Sequence, residues 1–284
     1  MFENFKVRCS AINKVMSNSA QNPILTEKQG LRLDELEKKD SLTEKQKEEM
    51  AELLVKKDNG KKVILSTTCI EYLMEAYAWE TEGMIAVNKE ALDVLSIRKG
   101  KMAEHIAGQV LSVVDNIEYL IHKERIENEY ASGEIDLYTG AHVYAATNVT
   151  DIKNSFDYPT FLKKIHTGLE TGQKEQVQGY GDITGARDLV VANCLISAPR
   201  EIIEEMMWKV ALKINAATFE SPEFLAEWPK WERSMVFHHI PIQRRVTKIK
   251  VEPFTDFEQQ RLYDRVKVCR DFLNLFHEQR MKLN

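Results

Sequence analysis

The segment from Gly133 to Tyr180 contains three short motifs: Gly133-Glu134-Ile135-Asp136, Thr150-Asp151-Ile152-Lys153 and Gln176-Val177-Gln178-Gly179-Tyr180. The run from 143 to 150 is rich in strand-forming residues, which predicts a strand that leads into the second motif. Residues two apart on a strand point to the same face. We therefore expect Asp151 and Lys153 to emerge together near the end of this strand, with Ile152 pointing into the apolar layer behind it.

A second carboxylate is expected beside Asp151. Residues 134–138 predict an earlier strand and residues 139–142 a tight turn, and an antiparallel hairpin of this kind would bring Asp136 next to Asp151. Two adjacent carboxylates repel each other unless a cation lies between them, and oxygen ligands completed by water suit Mg²⁺ or Mn²⁺. Such a metal generates a hydroxide nucleophile and neutralises charge on a phosphate, while Lys153 would orient the water or stabilise developing charge. The pattern predicts a metal-dependent site that cleaves phosphodiester bonds.

Glu104 is the best candidate for a third acidic ligand. It follows Lys99-Gly100-Lys101, and the apolar spacing after it predicts that Glu104 lies at the start of a helix. The alternative is a solvated glutamate near a helix start, where the helix dipole favours a negative charge.

Gln176 and Tyr180 lie on a helix predicted from about 173 to 184. They are four residues apart, so both side chains project from one face of that helix. An amide and a phenol suit the positioning of a phosphate or of the strand to be cut. The alternative is ordinary packing of this helix on the sheet.

These motifs, in this order, resemble those of the PD-(D/E)XK nuclease superfamily, and most closely its RecB-like and lambda-exonuclease-like branch, found in phage recombination exonucleases. The likeness covers roughly residues 60 to 200. It departs from the commonest pattern at Ile135, where many relatives have proline, and at Asp151, where many have glutamate.

The resemblance implies an α/β (α+β) fold with a restriction-endonuclease-like core, in which helices flank a mixed central β-sheet. It implies a helical N-terminal extension over 1–60, the nuclease core over 61–216 and accessory strand and helices over 217–284. The site residues that it implies are Glu104, Asp136, Asp151 and the Ile152 carbonyl as metal ligands, Lys153 as the catalytic lysine, and Gln176 and Tyr180 as DNA-positioning residues. It implies DNA as the substrate, Mg²⁺ or Mn²⁺ as the cofactor, and a single-strand annealing protein and further copies of the chain as partners.

Composition narrows the remaining possibilities. The 284 residues are 43% hydrophobic and carry a net charge of −5, which is not the signature of a protein that coats nucleic acid, although one groove can still be basic. We expect no membrane span and no secretion signal, and the four widely spaced cysteines predict reduced thiols in a cytoplasmic protein. A phosphate-binding Gly-x-x-x-x-Gly-Lys-Ser/Thr loop is missing from the sequence, which argues against a helicase or ATPase.

Residues 244–250 alternate basic and apolar side chains. On an edge strand they would form a basic stripe suited to phosphate contact, or a charged edge that prevents strand pairing between copies. Two other functions stay open at this point. One is a catalytically silent DNA-binding or interaction protein on the nuclease fold, and the other is a nuclease of defence or RNA processing.

Overall fold

The computed structural model describes residues 1–18, 25–39, 41–61, 65–85 and 95–282. The helices in these ranges are α1 Ile12–Val15, α2 Glu27–Glu37, α3 Glu44–Lys61, α4 Thr67–Glu82, α5 Leu95–Asp115, α6 Tyr158–Thr167, α7 Gln173–Thr184, α8 Arg200–Lys213, α9 Pro222–Arg233 and α10 Asp256–Met281. The strands are β1 Val7–Arg8, β2 Ile126–Glu127, β3 Ala131–Gly133, β4 Leu137–Gly140, β5 Ala146–Asn154, β6 Asp188–Cys194 and β7 Val246–Val251.

The chain forms two compact units from interleaved segments. One unit combines Met1–Ala86, Glu127–Gly133 and Phe254–Asn284, and the other combines Val87–Ile126 with Glu134–Pro253. All the candidate site residues belong to the second unit. The division into an N-terminal extension, a core and C-terminal accessory elements at residues 60 and 216 stays a prediction.

A four-stranded mixed sheet lies at the centre of the second unit, in the order β4-β5-β6-β7. β5 runs antiparallel to β4 and parallel to β6, and β7 runs antiparallel to β6. Leu137 pairs with Thr150 across β4 and β5, so Asp136, one residue before β4, comes opposite Asp151. The hairpin geometry predicted for these two aspartates is confirmed.

Helices cover this sheet on both faces. On one face, Ile152 and Ala192 pack in a buried cluster with Ala103, Ala107 and Leu111 of α5. On the other face, α7 approaches β6 so closely that a Cβ atom on Gly181 would lie 2.9 Å from the methyl groups of Leu189. Because a larger residue at Gly181 would push α7 away, this glycine sets how deeply α7 is seated on the sheet. The predicted class, a mixed sheet flanked by helices, is confirmed.

Two predicted strand boundaries are wrong. The strand that carries Asp151 begins at Ala146, because residues 143–145 form a 3-10 turn after the hairpin bend at Gly140. β4 begins at Leu137 instead of residue 134. In both places the geometry of the hairpin overrides the strand preference of the individual residues. The α7 helix has the predicted bounds.

The first unit is mostly helical. α2 and α3 pack through Leu33, Leu36 and Leu53, and Arg32 donates to both carboxylate oxygens of Glu49 at 3.0 Å. The four cysteines all lie within the described residues, where they are buried and are not joined in disulfides. No helix in the described ranges is both long enough and apolar enough to cross a bilayer.

Candidate active site

The end of β5 presents a buried acid and a partly exposed base on one face. The side chain of Asp151 is 1% exposed and that of Lys153 is 26% exposed. Their charged groups form an ion pair, with Lys153 Nζ 2.8 Å from Asp151 Oδ2. Ile152, between them, points to the opposite face and into the α5 cluster. The strand alternation therefore separates the polar pair from the core, as the sequence predicts.

Asp136 completes a close pair of carboxylates. Its Oδ2 accepts a hydrogen bond from the Ile152 backbone N–H at 2.6 Å, which fixes it beside the end of β5. Burial, followed by the negative charge of Asp151, raises the pKa of Asp136 to about 8. Burial also raises the pKa of Asp151, and the adjacent Lys153 ammonium opposes that rise. Two buried carboxylates with raised pKa values form a site that a cation would stabilise.

Glu104 lies in the interior of α5 and not at the helix start, so the expectation of a helix-start position is wrong. The helical spacing of apolar residues is clearest after Glu104, which suggested that the helix begins there. In the structure α5 already begins at Leu95. The helix-dipole explanation for this glutamate therefore does not apply. Glu104 is exposed, it lines the same cavity as the two aspartates, and its charge adds to the raised pKa of Asp136.

Gln176 and Tyr180 extend the polar row from Lys153 onto α7. The Lys153 ammonium donates to Gln176 Oε1 at 3.3 Å, and Gln176 Nε2 donates to the Tyr180 hydroxyl at 2.8 Å. The fold thus brings the four residues of the second and third motifs into one connected row, although their roles stay predictions. The row holds the lysine between a carboxylate on one side and an amide on the other.

The donor set fits a small divalent cation. Asp151 Oδ2 is buried, and its one polar contact among the described residues is the Lys153 ammonium. Within the same residues, no three His, Cys, Asp or Glu side chains lie close enough together to hold a metal by themselves. Mg²⁺ is usually bound through one or two carboxylates, with water and substrate phosphate supplying the other ligands. The close pair Asp136 and Asp151, with Glu104 in the lining of the same cavity, is consistent with that kind of site.

A cavity of about 880 Å³ opens in front of these groups. Besides the candidate site residues, three lysines line it: Lys101 on α5, Lys123 before β2 and Lys164 on α6. None of the three has an ion-pair partner within the described part of the chain, whereas Lys153 and Lys248 do. We call Lys101, Lys123 and Lys164 the lysine rim. Sequence reasoning missed it, because its members come from three distant elements and no motif connects them.

The basic stripe of residues 244–250 lies only in part on a strand. Arg244 and Arg245 belong to a 3-10 turn, and β7 begins at Val246 as the edge strand of the sheet. Lys248 pairs with Asp115, and Lys250 lies 3.6 Å from Asp188 Oδ1. The edge position is confirmed, but acidic partners already neutralise part of the stripe.

Solved structures share this fold. A phage-related exonuclease from Haemophilus somnus 129PT matches with a TM-score of 0.61 at 17% identity, over 97% of this chain and 96% of that one. An alkaline exonuclease, LHK-Exo, from Laribacter hongkongensis matches with a TM-score of 0.52 at 11% identity, over 99% of this chain and 96% of that one. LHK-Exo in complex with dAMP matches with a TM-score of 0.53 at 10% identity and the same coverage.

The fold of this chain is therefore that of the lambda-exonuclease-like enzymes, along nearly its whole length. No family model matches the sequence, and no curated protein does. At identities of 10 to 17% the likeness establishes the fold.

Proposed function

We propose that this protein is a metal-dependent deoxyribonuclease of the PD-(D/E)XK superfamily, and that it degrades DNA from its ends. The observation that carries the proposal is the arrangement at the end of β5. A close carboxylate pair, Asp136 and Asp151, stands beside a lysine in a cavity large enough for a nucleotide chain. The exonuclease fold of the structural neighbours supports the same reaction class.

Asp136 and Asp151 would hold the metal, with Glu104 and the Ile152 carbonyl as further ligands. A bound Mg²⁺ or Mn²⁺ would supply a hydroxide nucleophile and neutralise charge on the scissile phosphate. The chain contributes a buried site, where the interaction between a fixed charge and a phosphate is stronger than in water. Burial raises the pKa of both aspartates, which supports a cation as the partner of this pair.

Lys153 would place a positive charge where negative charge develops during hydrolysis. Its ammonium is held between Asp151 and Gln176, so it needs little reorganisation when substrate binds. Gln176 is in turn held by Tyr180. The row from Asp151 to Tyr180 therefore orients one donor toward the cavity and keeps it there.

The lysine rim supports a polyanionic substrate. Three ammonium groups with no ion-pair partner among the described residues surround one cavity, where they would attract successive phosphates even though the chain as a whole is acidic. The structure of LHK-Exo with dAMP supports a deoxynucleotide chain as the occupant. The likeness to a phage-related exonuclease supports an origin in phage recombination, and the annealing-protein partner and the homo-oligomer remain predictions of that resemblance.

The test compares wild type, Lys153→Ala and a matched control, Lys230→Ala, on linear double-stranded DNA, on circular double-stranded DNA and on RNA. Lys230 lies on α9 with 73% of its side chain exposed, in an ion pair with Glu227. Each protein is incubated with Mg²⁺, with Mn²⁺ or with chelator. We expect wild type and Lys230→Ala to degrade only linear DNA and only with metal, and Lys153→Ala to leave it intact.

Other outcomes select the rival functions. Nicking or cutting of circular DNA would identify an endonuclease. Degradation of RNA but not of DNA would identify a nuclease of RNA processing. If wild type binds DNA but cleaves no nucleic acid with either metal, the chain is a catalytically silent binding protein on the nuclease fold.

A further inference from the structure

A lysine that the proposed reaction does not use is buried next to the candidate site. Lys99 of α5 is 1% exposed, and its volume makes it one of the largest fully buried side chains among the described residues. Its ammonium donates to the backbone carbonyl of Ser155 at 2.9 Å and to that of Phe156 at 2.6 Å. It also lies 5.5 Å from the ring centroid of Phe156 and 5.1 Å from that of Phe237.

Burial of the Lys99 ammonium costs free energy, because the charge is removed from water. Packing at this position does not require a charged side chain. Removal from water lowers the pKa of Lys99 to about 8, against the attraction of Asp157. A methionine would fill much the same volume between two phenyl rings with no charge to desolvate. The hydrogen bonds to the two backbone carbonyls therefore account for a buried ammonium at this position.

The two carbonyls that accept from Lys99 belong to the residues that directly follow β5. Ser155 and Phe156 come two and three residues after Lys153, where the chain leaves β5 and turns toward α6. A further bond joins the same elements, since Asn154 Nδ2 donates to the Gly100 carbonyl at 3.1 Å. Three hydrogen bonds thus connect one turn of α5 to three successive residues at the end of β5.

The two connected elements carry different parts of the candidate site. α5 carries Glu104 and, in the lysine rim, Lys101, whereas β5 carries Asp151 and Lys153. The distance between these groups is therefore set by the contact between α5 and the end of β5. Two of the hydrogen bonds in this contact come from the Lys99 ammonium, so a single substitution at Lys99 removes both.

We propose that Lys99 is a positioning residue, which fastens the exit of β5 to α5 and so holds Glu104 at its working distance from Asp151 and Lys153. The inference rests on the proposed function. Lys99 touches neither substrate nor metal in this account, and it acts through the Ser155 and Phe156 carbonyls. Its loss would leave the fold in place and loosen the spacing of the carboxylates, which a metal site tolerates poorly.

The test uses Lys99→Met, with Lys230→Met as the matched control for loss of an exposed lysine. The first readout needs no catalysis: the rise in melting temperature on titration with Mn²⁺, which gives the half-saturating concentration. We expect Lys99→Met to need about 10-fold more Mn²⁺, because residues that orient metal ligands typically affect affinity by this factor. Lys230→Met should titrate like wild type.

The second readout is cleavage of linear DNA at saturating Mn²⁺, well below the melting temperature of each variant. We expect kcat of Lys99→Met to fall about 10- to 100-fold with KM changed less than twofold, since a small misplacement of reacting groups has this effect on turnover. A purely structural role would lower only the folded fraction, and that loss would vanish on cooling. An unchanged Mn²⁺ half-saturation with normal kcat in the cold would overturn the proposal.

Two controls keep the test decisive. If Lys99→Met does not fold, Asn154→Ala takes its place. This variant removes the neighbouring hydrogen bond to Gly100 and leaves the buried lysine unchanged. The half-saturating Mn²⁺ concentration should rise here too, but by less than in Lys99→Met. A wild-type titration in that variant would overturn the proposal. Wild-type protein that cleaves nothing would overturn the proposed function and this inference with it, whereas active wild type with unaltered variants would overturn the role of Lys99 alone.

Discussion

Lys153 Nζ lies 2.8 Å from Asp151 Oδ2, and it is the only charged donor that the described structure places against that nearly fully buried carboxylate. The two groups are neighbours on one face of β5, so no loop movement is needed to bring them together. On its other side the same ammonium contacts Gln176. This pairing gives Lys153 a fixed position with one end open to the cavity.

The stability of the metal-free protein should fall as the pH rises from about 4 to about 8. The pKa of Asp136 is raised to about 8 in the folded state, against an ordinary value of about 3.9 in the unfolded chain. Between these values the folded state holds a proton that the unfolded state has released, so unfolding becomes easier with increasing pH. Asp136→Asn lacks this proton exchange and should lose less stability over the same window.

The measurement is urea unfolding in chelator at pH 4, 6 and 8 for wild type and Asp136→Asn. From pH 4 to pH 8 the free energy of unfolding of Asp136→Asn should increase relative to that of wild type by on the order of a few kcal/mol. Asparagine can still accept the Ile152 N–H, so the loss of that bond does not confuse the comparison. A difference that stays constant with pH would contradict the raised pKa.

Lys99 should produce the opposite pH dependence at higher pH. Its folded-state pKa of about 8 lies below the unfolded value of about 10.4, so between these values the unfolded chain binds more protons. The stability of wild type relative to Lys99→Met should therefore rise with pH between about 8 and about 10. Urea unfolding of both proteins at pH 7, 8, 9 and 10 measures it, and a flat difference would show that the lysine keeps an ordinary pKa.

The lysine rim should determine how steeply DNA binding depends on salt. Each Lys→Ala change at Lys101, Lys123 or Lys164 should reduce the slope of log affinity against log salt by about 0.7 for single-stranded DNA. Binding is measured in chelator by fluorescence anisotropy, so that cleavage does not interfere. Lys230→Ala serves as the control and should keep the wild-type slope. Rim variants with the wild-type slope would remove these lysines from the binding surface.

Tyr180→Phe should reduce turnover moderately without loss of the fold. The ring stays packed against the sheet, but Gln176 Nε2 loses its acceptor and holds Lys153 less firmly. One neutral hydrogen bond of about 1 kcal/mol corresponds to roughly a 5-fold change in rate. Steady-state cleavage of linear DNA measures it, with Tyr158→Phe on α6 as the control. An unchanged kcat would mean that the Gln176–Tyr180 bond serves only helix packing.

The parts of the site that could be predicted from sequence are those within one element or one hairpin. Asp151 and Lys153 share a strand face because alternation is a local property, and Asp136 reaches them because a short hairpin leaves few registers. Gln176 and Tyr180 share a helix face for the same local reason. Each of these positions follows from spacing along the chain.

The parts that were missed depend on contacts between distant elements. The lysine rim gathers residues from α5, from the loop before β2 and from α6, which no local pattern connects. Lys99 did carry a signal, because it precedes Ala103 and Ala107 at intervals of four residues and so belongs to the buried stripe of α5. Because charged residues surround it in the sequence, this spacing alone did not identify Lys99 as buried.

The most direct test of the central claim is the metal-dependent degradation of end-labelled linear DNA by wild type and by Asp151→Asn. The substitution removes one negative charge from the buried pair and keeps the shape of the side chain, so the fold should survive, as circular dichroism and thermal melting can show. We predict degradation by wild type with Mg²⁺ or Mn²⁺, none with chelator, and none by Asp151→Asn under any condition. Undiminished degradation by a folded Asp151→Asn variant would contradict the assignment of this site.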